Sequence, residues 1–431
     1  MLDIKYIREN PQLVQEKAKQ KGYEVDVEQL LGFDKERREL LLELEKNRKA
    51  RNDLTSTIKG QPPSDDQIQK GKQIKDVVSK LEHQLSSIEL EFETLLNKIP
   101  NISLDQVPIG LGEENNKVIK EWGNKPTFNF EVKNHWQIGE AKDWIDKERA
   151  AKVSSSRFTY IKGDLALLEF ALWQFALSQL TNEEVIKEIV NTNNLEVTSK
   201  AFTFIIPPAV AKKEVYEATG RLNKEEQTYK IEGEDLWLNA SAEHTMAPLY
   251  LNEIIPEEKL PIRYVGYSTA FRREAGTYGK DMEGILRLHQ FNKLEMESFT
   301  TSDNSLLEHL LLIAIQEHLM QKLELPYQLV EKCTGEIGFP NAKGVDLEVW
   351  LPGQNKYRET HTADYLTDFQ ARGLKTRIKK SDGTIEYAHT NDATAFSERP
   401  LIAILENNQT EDGDVVVPEV LKQYIFGKEK I

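Results

Sequence analysis

Cysteine is almost missing from this chain: Cys333 is the sole one among 431 residues. That excludes an intrachain disulfide framework and any zinc site built from cysteines, and it fits a reducing compartment. Long hydrophobic runs are missing too. The longest, such as Leu310–Ile315, fall far short of the roughly 20 residues that span a bilayer. The opening Met1-Leu2-Asp3-Ile4-Lys5 lacks the apolar core of a signal peptide, so a soluble cytoplasmic protein without membrane contact is expected. There is no glycine-rich phosphate loop, since Gly276 and Gly279 stand too isolated to form one, and no repeat or low-complexity tract. Positive charge is in deficit, with 56 Lys and Arg against 71 Asp and Glu for a formal charge of −15. That balance argues against indiscriminate nucleic-acid binding without excluding a local basic surface. The hydrophobic fraction of 39% over this length still allows two to four domains with real cores.

What is present changes along the chain. Leu30, Phe33, Arg37, Leu40, Leu44, Asn47, Arg51, Leu54 and Ile58 recur at alternating spacings of three and four, a heptad rhythm. Gly60-Gln61-Pro62-Pro63-Ser64 breaks it, because proline lacks the N–H donor and glycine permits the turn. A second rhythm through Ile74, Val78, Leu81, Leu85, Ile88, Phe92, Leu95 and Ile99 stops at Pro100. The pair predicts an antiparallel coiled-coil hairpin within an N-terminal domain of residues 1–100, an arm projecting from a body. Limbs of about 27 residues would extend roughly 40 Å. Around the tip, Lys46, Arg48, Lys49, Arg51, Lys59, Lys70, Lys72, Lys75 and Lys80 outnumber Asp53, Asp65, Asp66 and Asp76. A solvated helical face is the plain reading of such a charge run. A finger that neutralises nucleic-acid phosphates is the sharper one, and the pattern leaves both open.

Residues 101–125, with Pro108, Gly110, Gly112 and a polar Glu113–Lys117 stretch, read as a linker to a domain over 126–431. Helices are expected there over Leu165–Leu180 and Ser305–Leu323 and near Glu183–Thr192. Strands are expected at Phe202–Ile206, Ile262–Ser268, Phe291–Met296, Val345–Trp350 and Leu401–Leu405. Such a mixture, without regular βαβ alternation, predicts an α+β fold around a mainly antiparallel sheet flanked by helices.

Charged residues gather in three segments of this half: Phe271–Glu295, Tyr357–Arg372 and Thr394–Asn407. Arginine at a strand end holds a phosphate through paired N–H donors, and a carboxylate nearby holds magnesium or an amine. Each alone reads as a structural ion pair; three together point to a site for ATP and anions. The strand–loop–strand from Phe271 to Glu295 resembles motif 2 of class II aminoacyl-tRNA synthetases, Arg399 before an apolar helix resembles motif 3, and Phe202–Pro208 resembles motif 1. More narrowly, the whole chain resembles the bacterial seryl-tRNA synthetase family. The likeness is carried by Phe271-Arg-Arg-Glu-Ala-Gly276, His289-Gln-Phe-Asn-Lys-Leu-Glu295, Glu148–Ser154, Asp346–Trp350 and Asp368–Arg372.

The resemblance implies a class II catalytic domain, a hairpin that embraces the variable arm of tRNA(Ser), a homodimer joined through motif 1, and Mg²⁺ with ATP as co-substrate, without zinc. Serine would be activated as seryl-adenylate and passed to the tRNA 3′ end, tRNA(Sec) being a further substrate where it exists. By the same resemblance Arg272, Glu359 and Arg399 are catalytic, and serine is held by Ser241, Ala242, Glu243, Arg272, Glu295 and Thr394. ATP is held by Arg272, Arg273, Glu274, Phe291, Glu359, Thr360, His361, Thr362 and Arg399, with Glu359 and Thr362 toward magnesium. Three departures stand out. Ser241 replaces the usual threonine, Thr360-His361-Thr362 replaces small serines, and Asn391–Arg399 runs one residue short, which leaves the register of Thr394 open by one. Lone His289 and Cys333 read as structural residues. A catalytically silent RNA-binding paralogue and an amino-acid:carrier-protein ligase are the competing readings. The retained Arg272, Glu359 and Arg399 oppose the first, and the arm opposes the second.

Overall fold

The computed structural model describes residues 1–58, 62–222, 227–275 and 283–431. They form two compact units, Leu2–Pro100 and a larger one from Asn101 to Ile431 that also takes in Met1. In the smaller unit, helices α1 (Val27–Thr57) and α2 (Asp65–Leu96) pack along each other. Leu44, Val78, Leu81 and Leu85 form their seam, flanked by Leu40, Leu41 and Ile74, all positions of the heptad rhythm except Leu41. Arg37, a polar residue at a seam position, lies over the Phe92 ring at 4.7 Å, a cation–π contact that keeps the charge at the rim. Ser64 starts α2 with a capping box: its hydroxyl accepts from Gln67 N–H, and the Gln67 side chain accepts from Ser64 N–H. Lys59, Gly60 and Gln61, expected in the turn, lie outside the described residues, as do Gly276 and Gly279.

The larger unit is built on eight strands: β1 (Lys117–Trp122), β2 (Thr203–Ile205), β3 (Ile262–Phe271), β4 (Gln290–Thr300), β5 (Tyr327–Glu331), β6 (Lys343–Leu351), β7 (Lys356–Thr367) and β8 (His389–Ser397). Their order is β1-β5-β6-β7-β8-β4-β3-β2, antiparallel throughout except for the β2–β3 pair. Helices α3 (Gly163–Leu180), α4 (Lys213–Thr219), α5 (Ser305–Lys322) and α6 (Arg399–Asn407) accompany the sheet. Its core joins α3, α5 and α6 to one sheet face through Leu294, Met296, Leu347, Val349, Ala363 and Ala393. Successive strand residues point to opposite faces, so the residues between these apolar ones are turned to the other side.

Two expectations need correction. Residues 101–125 are not a bare linker: β1 pairs with β5, and the buried Asn101 amide donates to the Pro340 and Leu366 carbonyls at 2.9 and 2.8 Å. Leu401–Leu405 is not a strand but the middle of α6, with Pro400 in its first turn, where the missing N–H costs nothing. An unbroken apolar run of five has no period, and both faces of α6 are buried here. No helix among the described residues is long and apolar enough to cross a membrane.

Candidate active site

The face of the sheet opposite the helices carries a cleft of about 320 Å³. Its chemistry comes from alternate positions of neighbouring strands: Lys293 on β4, Asp346 on β6, Thr362 and Asp364 on β7, and Thr394 on β8. Arg272 enters from the end of β3 and Arg399 from the start of α6. The sheet therefore brings together three segments up to 127 residues apart, which is the distance from Arg272 to Arg399.

One end of the cleft holds the motif arginines. Arg272 donates through Nε to the Ala240 carbonyl at 3.1 Å and lies 5.1 Å from the centre of the Phe291 ring. Glu274 adopts a left-handed backbone (φ 51°) and accepts from Arg287 at 3.1 Å. Arg399 reaches both the Glu359 carboxylate, at 3.0 Å, and the Glu359 backbone carbonyl, at 2.8 Å. Partial desolvation in the cleft would raise the half-exposed Glu359 carboxyl, but Arg399 and Lys332 outweigh it and hold it down to about 2. Lys332 makes a second charged knot, 2.9 Å from Asp346, 3.2 Å from Asp364 and 2.7 Å from the Thr362 hydroxyl. Burial raises Asp346 to about 7 against the pull of Lys332.

The deeper end is acidic. Oxygens of Glu243, Glu295 and Asp392 converge within 4.8 Å of one another. Two cations are set among them: Lys293, 2.6 Å from Glu295 and 3.7 Å from Glu243, and Arg221, 2.6 Å from Asp392 and 3.5 Å from Glu243. The Ser241 hydroxyl donates to Glu243 and accepts from Lys293 at 3.1 Å. Burial raises the Glu295 carboxyl, opposed by Lys293; the same burial at Glu243 is overcome by Lys293 and Arg221, so Glu243 stays well below the ordinary carboxylate range. Glu295 Oε1 is buried without a hydrogen-bond partner among the described residues, an acceptor that a ligand hydroxyl would satisfy. Behind it, burial and neighbouring acids raise both Glu297 and Asp392. The Glu297 oxygens lack a described donor, while Asp392 accepts from Arg221.

The expected residues are thus sorted. Arg272, Glu274, Phe291, Glu359, Thr360, Thr362, Arg399, Glu243 and Thr394 line the cleft. Ser241 and Glu295 lie one contact below, reached through Lys293 and Glu243, and Ala242 is buried just before the helical turn Glu243–Met246. Arg273 is exposed, its N–H donating to the Gln227 carbonyl, and does not line the cleft. His361 is turned away because strand alternation puts it with Ala363 on the core side, where it packs against Phe396 and donates or accepts at Thr360. His289 meets the Arg272 carbonyl at 2.9 Å, and Cys333 is buried. For magnesium, the half-exposed Glu359 carboxylate fits a hard cation. Thr362 fits poorly, because its hydroxyl already faces the Lys332 ammonium. Sequence reading missed Arg221, Lys332, Asp364 and Asp392, and gave Lys293 and Asp346 no role. A signal existed in the charged Lys293, Glu295 and Glu297 at every second position of one strand.

An antiparallel sheet with helices on one face and an arginine-rich cleft on the other is the frame of a class II aminoacyl-tRNA synthetase, and residues 176–408 match the family model described as tRNA synthetase class II core domain (G, H, P, S and T). Residues 1–103 match the seryl-tRNA synthetase N-terminal domain. The chain belongs to the seryl-tRNA synthetase family and is an enzyme of that kind, a serine–tRNA ligase. It is 38% identical over 436 residues to the serine–tRNA ligase of Thermodesulfovibrio yellowstonii, covering 99% of each chain. Among solved structures it is similar to seryl-tRNA synthetase from Pyrococcus horikoshii complexed with ATP (TM-score 0.87, 36% identity, 100% and 99% of the two chains). It is also similar to the cytoplasmic serine–tRNA ligase of Naegleria fowleri in complex with AMP (TM-score 0.84, 28% identity, 100% and 98%).

Proposed function

We propose that the cleft divides the ligase reaction between its two ends, with ATP at the arginines and serine at the acids. The observation that carries this is the placement of Arg272, between the Phe291 ring and the carbonyl of Ala240, the residue just before Ser241, at the junction of the two ends. A serine carboxylate attacking the α-phosphate brings two anions together. Arg272, whose planar fork stays charged at any working pH, neutralises and aligns them there. Glu274 reads the adenine amino group, Phe291 supplies a face for its ring, and Arg399 meets the terminal phosphates. Glu243 accepts the serine ammonium; Glu295, with its unpaired oxygen, and Thr394 meet the hydroxyl. Magnesium, when bound, would be held by Glu359 together with ATP oxygens and water and would neutralise phosphate charge.

The hairpin is the tRNA(Ser) arm of this reading. The eight basic residues described there, Lys46, Arg48, Lys49, Arg51, Lys70, Lys72, Lys75 and Lys80, are all exposed, and among the described residues only Arg48 and Lys70 of these form ion pairs, with Glu82 and Asp66. Lysines and arginines without stacking rings suit recognition of backbone and shape. A homodimer is supported by the edge strand β2, where Phe204 and the following Ile206 are 40% and 75% exposed.

Serine-dependent ATP–pyrophosphate exchange on two variants tests the division. Glu295→Gln is expected to raise KM for serine about tenfold or more, the loss of a charged hydrogen-bond acceptor, with KM for ATP within about twofold. Glu359→Gln is expected to do the reverse and to raise the magnesium concentration required. Equal effects of each variant on both substrates would contradict the division.

A further inference from the structure

Arg221 has no part in the roles above, yet it is built into the acidic end with care. It follows Gly220, which ends α4 in the left-handed conformation (φ 71°). A Cβ on Gly220 would come to 3.0 Å from the Phe339 ring and 3.2 Å from Phe369, so a side chain there would crowd both rings as well as strain the dihedral. The turn carries the guanidinium to the cleft, where Arg221 Nη2 stands 2.6 Å from Asp392 Oδ2 and 3.5 Å from Glu243 Oε1. Its side chain is 14% exposed and that of Asp392 only 1%. The other Glu243 oxygen is met by Ser241 and lies 3.7 Å from Lys293.

The order of these distances has a chemical meaning. A buried carboxylate that must accept an ammonium has to remain ionised, and burial opposes that. A cation beside it restores ionisation but competes with the incoming ammonium if its own charge is left unmatched. Arg221 is hydrogen-bonded to Asp392 and forms only the longer ion pair, 3.5 Å, with Glu243, so it supports the charge on Glu243 while Asp392 takes its hydrogen bond. We propose that Arg221, anchored by Asp392, is a positioning residue that keeps Glu243 ionised and oriented for the α-ammonium of serine. The inference rests on the assignment of Glu243 given above.

The test uses serine-dependent exchange on the full-length enzyme for Arg221→Ala, Arg221→Lys, Asp392→Asn and Glu243→Gln. It also measures inhibition by 3-hydroxypropanoate, which is serine without its amino group. Arg221→Ala and Asp392→Asn are expected to raise KM for serine at least tenfold, with KM for ATP and the inhibition constant of 3-hydroxypropanoate within twofold. Arg221→Lys should fall between wild type and Arg221→Ala. If Arg221→Ala does not fold, Asp392→Asn and Arg221→Lys carry the same readout. Two outcomes overturn the proposal alone, given that Glu243→Gln raises KM for serine. One is an unchanged KM for serine in the Arg221 and Asp392 variants; the other is a parallel weakening of 3-hydroxypropanoate, which would mark a merely structural role. An unchanged KM for serine in Glu243→Gln would instead overturn the Glu243 assignment and this proposal with it.

Discussion

Replacing Arg272 by alanine is expected to lower serine-dependent ATP–pyrophosphate exchange by about 10³-fold or more, with the loss mainly in kcat. Removing one preorganised donor to a developing anion costs about 10²–10³ in kcat, and a phosphate-neutralising arginine costs about 10³–10⁵. Arg272 does both jobs in this reading, since it sits where the serine carboxylate and the α-phosphate meet. Its surroundings fix it beforehand: Nε is spent on the Ala240 carbonyl, the ring of Phe291 lies beneath, and its backbone N–H bonds the His289 carbonyl at 2.9 Å. Alanine removes the charge while leaving the β3–β4 pairing that ends beside it, so the variant should fold. Exchange within tenfold of wild type, from folded Arg272→Ala, would contradict the role.

Deleting Asn47–Lys80 and rejoining the two limbs is the second large effect. Charging of tRNA with serine should fall below about 10⁻³ of wild type, while exchange without tRNA stays within about threefold. The larger unit has a continuous core of its own through α3, α5, α6 and the sheet. No described residue of 47–80 lines the cleft. The deletion removes every basic residue of the hairpin tip except Lys46, and phosphate contacts supply most of the non-specific affinity for a nucleic acid. The same reasoning predicts that charging by the intact enzyme weakens steeply with salt while exchange does not. A parallel fall of exchange and charging in the deletion would end the two-module reading.

Much of this was legible in the sequence, and the reasons are physical. The hairpin could be read because Leu44, Val78, Leu81 and Leu85 repeat with the period of a helix pair, and Pro62-Pro63 cannot continue a helix. The order of the central strands could be foreseen only as antiparallel, since pairing depends on contacts between distant segments such as β7 with β8. Arg272, Glu359 and Arg399 could be brought to one cleft beforehand because the segments that carry them resemble the family's motifs. His361 was misplaced because a motif read as consecutive residues ignores that a strand sends neighbours to opposite faces. Arg221 could not be found at all: nothing local marks it, and its partners lie 22 and 171 residues away, at Glu243 and Asp392. Lys332 was missed for the same reason, since Asp346, Thr362 and Asp364 meet it only across the sheet.

The most direct test of the central claim is ATP–pyrophosphate exchange by the unmodified enzyme with serine, alanine, cysteine and threonine, each with and without magnesium. A pocket whose buried acceptor needs a hydroxyl rejects the analogue without one by about 10⁴–10⁵. Exchange is predicted with serine and magnesium, with alanine lower by at least about 10³-fold on that principle. Exchange with none of the four from folded protein, or with alanine as readily as with serine, would contradict the reading of this cleft as the site where serine is activated.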